Sequence, residues 1–220
     1  MTLDIEDLLN SIVKSFGKMN YIQADDIPNI DLYMDQVTTF MDDRLKPSTR
    51  YKAEEKLMTK TMINNYAKND VIPPPIRKKY TKDHLFILIM IFYFKSILQI
   101  SDIKELMDPI VENFFGKNSD FGIDDVYTGI FEDKGEELKA ICEDVVKQYE
   151  ECQDKFEDAP EDERDYLKLY AFVCKLGCDV FVKKLMIEKI VDSLKEHKEE
   201  KSGSSKDNKY DVTVDKKGKK

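Results

Sequence analysis

Apolar residues recur three and four positions apart through most of the chain, the period of helices that bury one face. Ile5, Leu8, Leu9, Ile12, Val13 and Phe16 predict an amphipathic helix over residues 3–16, with Asp4, Glu6 and Asp7 in the first turn, where the helix dipole favours them. A turn with Pro28 follows at 22–30. A second helix is expected from about Asp31 to Leu45, its inner face marked by Leu32, Tyr33, Gln36, Val37, Phe40 and Met41 and its end by Pro47 and Ser48. Residues 50–57 read as either helix or loop. Thr59 caps a short helix from Lys60 to about Asn69, with Ile63, Tyr66 and Ala67 inward and Thr61, Asn64, Asn65 and Lys68 outward.

Pro73, Pro74 and Pro75 then forbid helix and force an extended turn that ends in Arg77, Lys78 and Lys79. Thr81 caps the next helix, with His84 at the third position. That helix runs to about Leu98 and is apolar nearly all round from Leu85 to Phe94, which predicts a central position. Ser101 caps a further helix that Pro109 bends or ends, and 116–124 is a loop. The C-terminal part carries a helix over 136–156, the break Asp158-Ala159-Pro160, and a long helix over 161–197. Gly177 inside it marks a kink or a close approach. The polar stretch 198–220 is expected to be disordered. The fold class is mainly α, with β structure confined to a vestigial wing near 72–79. The organisation expected is an N-terminal helix (1–19), a DNA-facing domain (20–115), a helical dimerisation or effector region (120–197) and the tail.

Charge sharpens this picture. The net charge is −9, but its distribution is uneven. Arg44 to His84 holds eleven Lys/Arg against four Asp/Glu, whereas Ser101 to Asp165 holds seven against twenty-two. A single basic segment lies between acidic flanks, as expected of one DNA-facing patch on a chain that otherwise repels DNA. The acidic N-terminus is no secretory signal, and the ten-residue apolar run is too short for a bilayer span, which needs about 20 residues. Four cysteines without an export signal point to reduced thiols in a cytoplasm.

Candidate contacts follow from residue type. Asn64 and Asn65 carry amides that can pair bidentately with adenine in the major groove. Lys60, Thr61 and Lys68 suit phosphates, as do Arg77, Lys78 and Lys79 on their proline-stiffened segment. Tyr66 and Tyr80 read as core residues. Cys174 and Cys178, four apart on one helix, read as small buried hydrophobes, as do Cys142 and Cys152. A calcium loop begun at Asp120 fails, since its third position is Gly122 and its sixth Asp125. No phosphate loop, nucleophile elbow or His-Glu-His spacing is present, so no catalytic, cofactor or metal residues are assigned and no enzyme is expected.

The runs Ile63-Asn64-Asn65-Tyr66, Val71-Ile72-Pro73-Pro74 and Lys78-Lys79-Tyr80-Thr81 resemble the DNA-binding domain of the mercury-resistance-regulator (MerR) family. In that family a recognition helix leads through a Leu-Ile-Pro turn to a basic wing. Leu98 to Leu106 looks like the family's second helix pair. The chain departs from the pattern in Asp70, where the family has glycine, in Asn64, where it often has arginine, and in a shortened wing. Ile27 to Val37 and Thr59 to Tyr66 are also similar to a group of uncharacterised bacterial proteins that share a domain of unknown function. The resemblance implies a MerR-like winged helix-turn-helix and a non-enzymatic transcription regulator, a homodimer on double-stranded DNA. The alternative is an acidic helical interaction adaptor that keeps the fold without binding DNA.

Overall fold

Helices form where the apolar period runs, and they stop where backbone constraints intervene. The computed structural model describes residues 5–16, 21–46, 49, 55–117, 120–132 and 134–207. In chain order these give α1 (Ile5–Phe16), β1 (Leu32–Tyr33), α2 (Met34–Leu45), α3 (Lys60–Lys68) and β2 (Lys79–Tyr80). There follow α4 (Lys82–Phe94), α5 (Ile100–Phe114), α6 (Ile123–Phe131), α7 (Gly135–Gln153) and α8 (Glu161–Asp207). The protein is mainly helical.

α4 is the core of the first part. Its side chains from His84 to Ile91 are all buried, so the helix has no solvent face and neighbours must surround it. Val37, Met41 and Leu45 of α2, Ile63 and Tyr66 of α3, Ile103 and Met107 of α5, and Tyr127 of α6 join one apolar cluster with it. Asp42 is buried on α2, where Lys56 sits 2.5 Å from one oxygen and the Leu57 amide donates to the other at 3.0 Å. Burial alone would raise its pKa, but those two donors overturn that and hold it below the usual value. The carboxylate thereby ties the approach to α3 onto α2. The buried Tyr127 hydroxyl similarly donates to the Ile22 carbonyl at 2.7 Å.

A second, smaller cluster joins α1, α7 and α8 through Leu9, Cys152 and Phe172, flanked by Val13, Tyr149 and Leu176. α8 turns back along α7 and then reaches α5. There Lys195 pairs with Asp102 at 2.7 Å, and Lys198 meets Glu105 at 2.9 Å and Asp108 at 3.2 Å.

Several boundaries differ from the periodicity. Leu32 and Tyr33 are strand rather than helix, because they pair antiparallel with Tyr80 and Lys79, and Tyr33 and Gln36 are exposed rather than inward. Residues 51–54 lie outside the described residues, and 55–59 are non-helical. α4 stops at Phe94. α5 begins at Ile100 with Gln99 rather than Ser101 at its cap, and it runs through Pro109 without ending. α6 occupies residues that carried no predicted element, and its packing extends the core past residue 115. α7 ends at Gln153. Phe156 lies in the following turn at φ 61°, half-exposed rather than in helical register. The helical backbone of α8 continues to Asp207, ten residues past His197, because nothing in 198–207 breaks an i to i+4 ladder. The rest of the tail, 208–220, and residues 1–4 lie outside the described residues.

Candidate functional site

α3 is short, so its ends matter. At its start the Thr59 hydroxyl accepts the Met62 amide at 3.2 Å, satisfying a donor that has no partner within the helix. At its end the Val71 amide returns to the Tyr66 carbonyl at 2.9 Å and the Asp70 amide to Ala67 at 3.3 Å. These are the two bonds of a Schellman stop, which places Asp70 in the left-handed region at φ 53°. The glycine that the family resemblance led one to expect is thus explained by the backbone, and Asp70 holds the same shape at a steric cost. Lys104 of α5 fastens it by donating to the Asp70 carbonyl at 3.0 Å and to Asp108 at 2.9 Å.

With Ile63 and Tyr66 buried beneath, Lys60, Thr61, Asn64, Asn65 and Lys68 stand exposed on the outer face of α3. Two of them are not free of neighbours. Lys60 is paired with Asp35 in the first turn of α2. Asn65 lines a groove of about 530 Å³ with Asn69, Lys95, Leu98 and Ile103, between α3 and the start of α5. Lys95 there is half-buried, which lowers its pKa, and it donates to the Leu57 carbonyl at 2.5 Å.

Arg77 and Lys78 form the tip of a two-residue hairpin. Ile76 and Lys79 exchange both backbone bonds, each at 2.9 Å, and Arg77 and Lys78 both have positive φ, 51° and 64°. That is the pattern of a type I′ turn, which prefers Asn-Gly because other residues are crowded there. Both cations are exposed. Lys79 points differently, with its ammonium 5.3 Å above the Tyr33 ring, and it is only half-exposed.

The hairpin stands on a rigid base. Tyr80 is buried, and its ring meets His84 edge-on at 5.3 Å, while Phe115 meets the other side of the imidazole at 4.7 Å. The Thr81 amide donates to His84 Nδ1 at 3.0 Å, so Nδ1 is unprotonated and the ring is neutral. Burial holds its pKa below the ordinary value, opposed by the Pro73 and Pro74 carbonyls and by Asp83 and Asp31. Nε2 makes no hydrogen bond of ordinary geometry. α2 packs against both α3 and β2, so one helix supports the outer face of α3 and the hairpin.

The structure thus gathers the α3 residues on one face and puts Arg77 and Lys78 on a separate tip. Lys79 and Lys60 each have a partner within the chain. Sequence reasoning missed Lys104 and Asp42, whose partners lie far along the chain, and it read Asp70 only as a departure. The signal for Asp70 was present: a helix stop needs a left-handed residue. Tyr66 and Tyr80 are core residues, as expected. Cys174 and Cys178 are exposed, not buried, because they lie on a face of α8 turned away from α7.

Residues 22–130 match the model of a family described as a domain of unknown function, DUF1836. The DUF1836 domain coincides with the larger core, which runs from Ile22 to Tyr127, and it contains both candidate contact regions. α1, α7 and α8 lie outside it. No match is found among curated proteins or among solved structures.

Proposed function

We propose that the DUF1836 domain of this chain binds double-stranded DNA, as a non-enzymatic transcription regulator built on a winged helix-turn-helix of the MerR type. α3 enters the major groove with Asn64 and Asn65 toward base edges, while Thr61 and Lys68 hold phosphates. The hairpin is the wing, with Arg77 and Lys78 on the neighbouring backbone. Two copies then read a two-fold site.

One observation carries this reading. The hairpin tip places two exposed cations at positive φ, where Asn-Gly would cost less. Strain kept in an exposed turn points to a use for those side chains. A proline-stiffened base also means that little freedom is lost when they bind.

The test is a fluorescence-anisotropy titration of Arg77→Glu/Lys78→Glu against mixed-sequence duplex DNA. Affinity should fall at least about tenfold, and the slope of log affinity against log salt should flatten by about 2. Unchanged affinity sinks the wing. An acidic interaction adaptor is the second reading, favoured by the capture of Lys60 by Asp35. A heparin column at low salt retains the DNA binder and passes the adaptor.

A further inference from the structure

We propose that α8 carries a self-complementary seam through which two copies of this chain pair antiparallel, about a two-fold axis level with the Lys175–Leu176 bond. This deepens the two-copy part of the function proposed above and rests on it, without depending on DNA.

The face of α8 that bears Leu169, Phe172 and Leu176 is occupied, since these pack with α7 and α1. Another face is open. Tyr166 is 67% exposed and Phe181 64%, and Tyr170, Cys174, Gly177 and Leu185 are exposed along the same stripe. Tyr166 and Tyr170 already stack on each other, with ring centroids 6.3 Å apart. The three rings expose roughly 120 Å² each, given that a buried aromatic covers about 150–250 Å². With Leu185 and the flanking Val173 and Val180, the face offers roughly 600 Å² of apolar surface, the upper end of what monomers show. A standard interface needs about 800 Å² per partner, so this helix face supplies most of one.

The order of the residues identifies the occupant. Tyr166, Tyr170, Cys174, Gly177, Phe181 and Leu185 are spaced four, four, three, four and four, which reads the same in both directions. Reversal about the midpoint exchanges Tyr166 with Leu185, Tyr170 with Phe181 and Cys174 with Gly177. Large residues therefore meet large ones at the ends, and small ones meet at the centre. A two-fold interface must be complementary to itself in this way, because each residue meets its mirror in the sequence.

Gly177 supplies an independent argument. Glycine inside a helix is destabilising relative to alanine, so it requires a reason. Within this chain there is none: a Cβ added at Gly177 meets nothing within 4 Å. Close approach of a second helix at the centre of the seam is the reason the geometry leaves.

Sedimentation of the full chain tests the seam. The wild type is expected to be a dimer at micromolar concentration. Gly177→Leu and Phe181→Glu should each weaken self-association by about 100-fold, with helix content by circular dichroism unchanged. Register is read by mild oxidation in a Cys174→Ser/Cys178→Ser background. Tyr170→Cys together with Phe181→Cys should link the two chains, and neither substitution alone should. Linkage by a single substitution means parallel pairing and overturns the seam. A dimer indifferent to both disrupting variants overturns the seam and leaves the two-copy reading standing. A monomeric wild type overturns both, and the DNA titration is unaffected by any of these outcomes.

Discussion

From His84 to Ile91, α4 buries every side chain in succession, whereas α8 leaves Tyr166, Tyr170, Phe181 and Ile190 largely in water. Both stretches are apolar beyond what one helix stripe needs. α4 lies among five other elements of its core, and its surroundings remove all of its surface. α8 is 47 residues long, about 70 Å at the rise of a helix, and one packed face along α7 and α5 does not cover it. Apolar character states that a surface wants cover. It does not state whether the cover comes from the same chain.

The largest effect that tests this contrast is Leu88→Ala in α4. A fully buried leucine there should cost about 2–5 kcal/mol in urea unfolding, since transfer and cavity terms add. A small loss would show that the helix is less enclosed than its burial indicates.

Next comes Asp42→Asn, which should lose about 1–2 kcal/mol at neutral pH, because a buried charge-assisted interaction is removed. The sign with pH is fixed by the depressed carboxyl pKa. The stabilisation is fully present above the unfolded value near 3.8 and is lost as pH falls through the lower folded value. The gap between wild type and variant should therefore close in acid unfolding. His84 acts in a different window. Its folded pKa lies below the ordinary 6.5, so protonation favours the unfolded chain, and stability should fall as pH drops below 6.5. His84→Asn should abolish that dependence.

A smaller gain is expected at the hairpin. Arg77→Asn/Lys78→Gly relieves two crowded positions and should raise stability by roughly 1 kcal/mol while weakening DNA binding. A variant more stable and equally good at binding would separate the strain from the function. The smallest effect belongs to α8. Ile190→Ala, on an open part of the helix, should change the unfolding free energy by less than about 0.5 kcal/mol. A large loss there would mean that this part of the face is covered after all.

Much of the helical plan was legible. Thr59 and Thr81 cap α3 and α4 as read, His84 serves as the third-position acceptor, and the burial of α4 follows from its unbroken apolar run. The inward and outward faces of α3 were also readable, because Ile63 and Tyr66 repeat at helical spacing. α6 was not: nine residues between loops carry too short a period, and Tyr127 acquires its importance only through Ile22, 105 positions away. The strand at Leu32 was hidden for the same reason, since its partner is Tyr80. The exposure of Cys174 and Cys178 was misread because the helix is apolar on more faces than α7 covers.

By itself the sequence determined which segments become helix, where most of them begin, and where positive charge concentrates, for these depend on neighbours within a few residues. Only the tertiary structure decided that Asp70 must be left-handed beside Lys104, that Lys79 turns to Tyr33 while Arg77 and Lys78 stay free of it, and that α8 keeps an open face. Each of these depends on groups far apart along the chain that folding brings to a few ångströms, and no local period encodes such a distance.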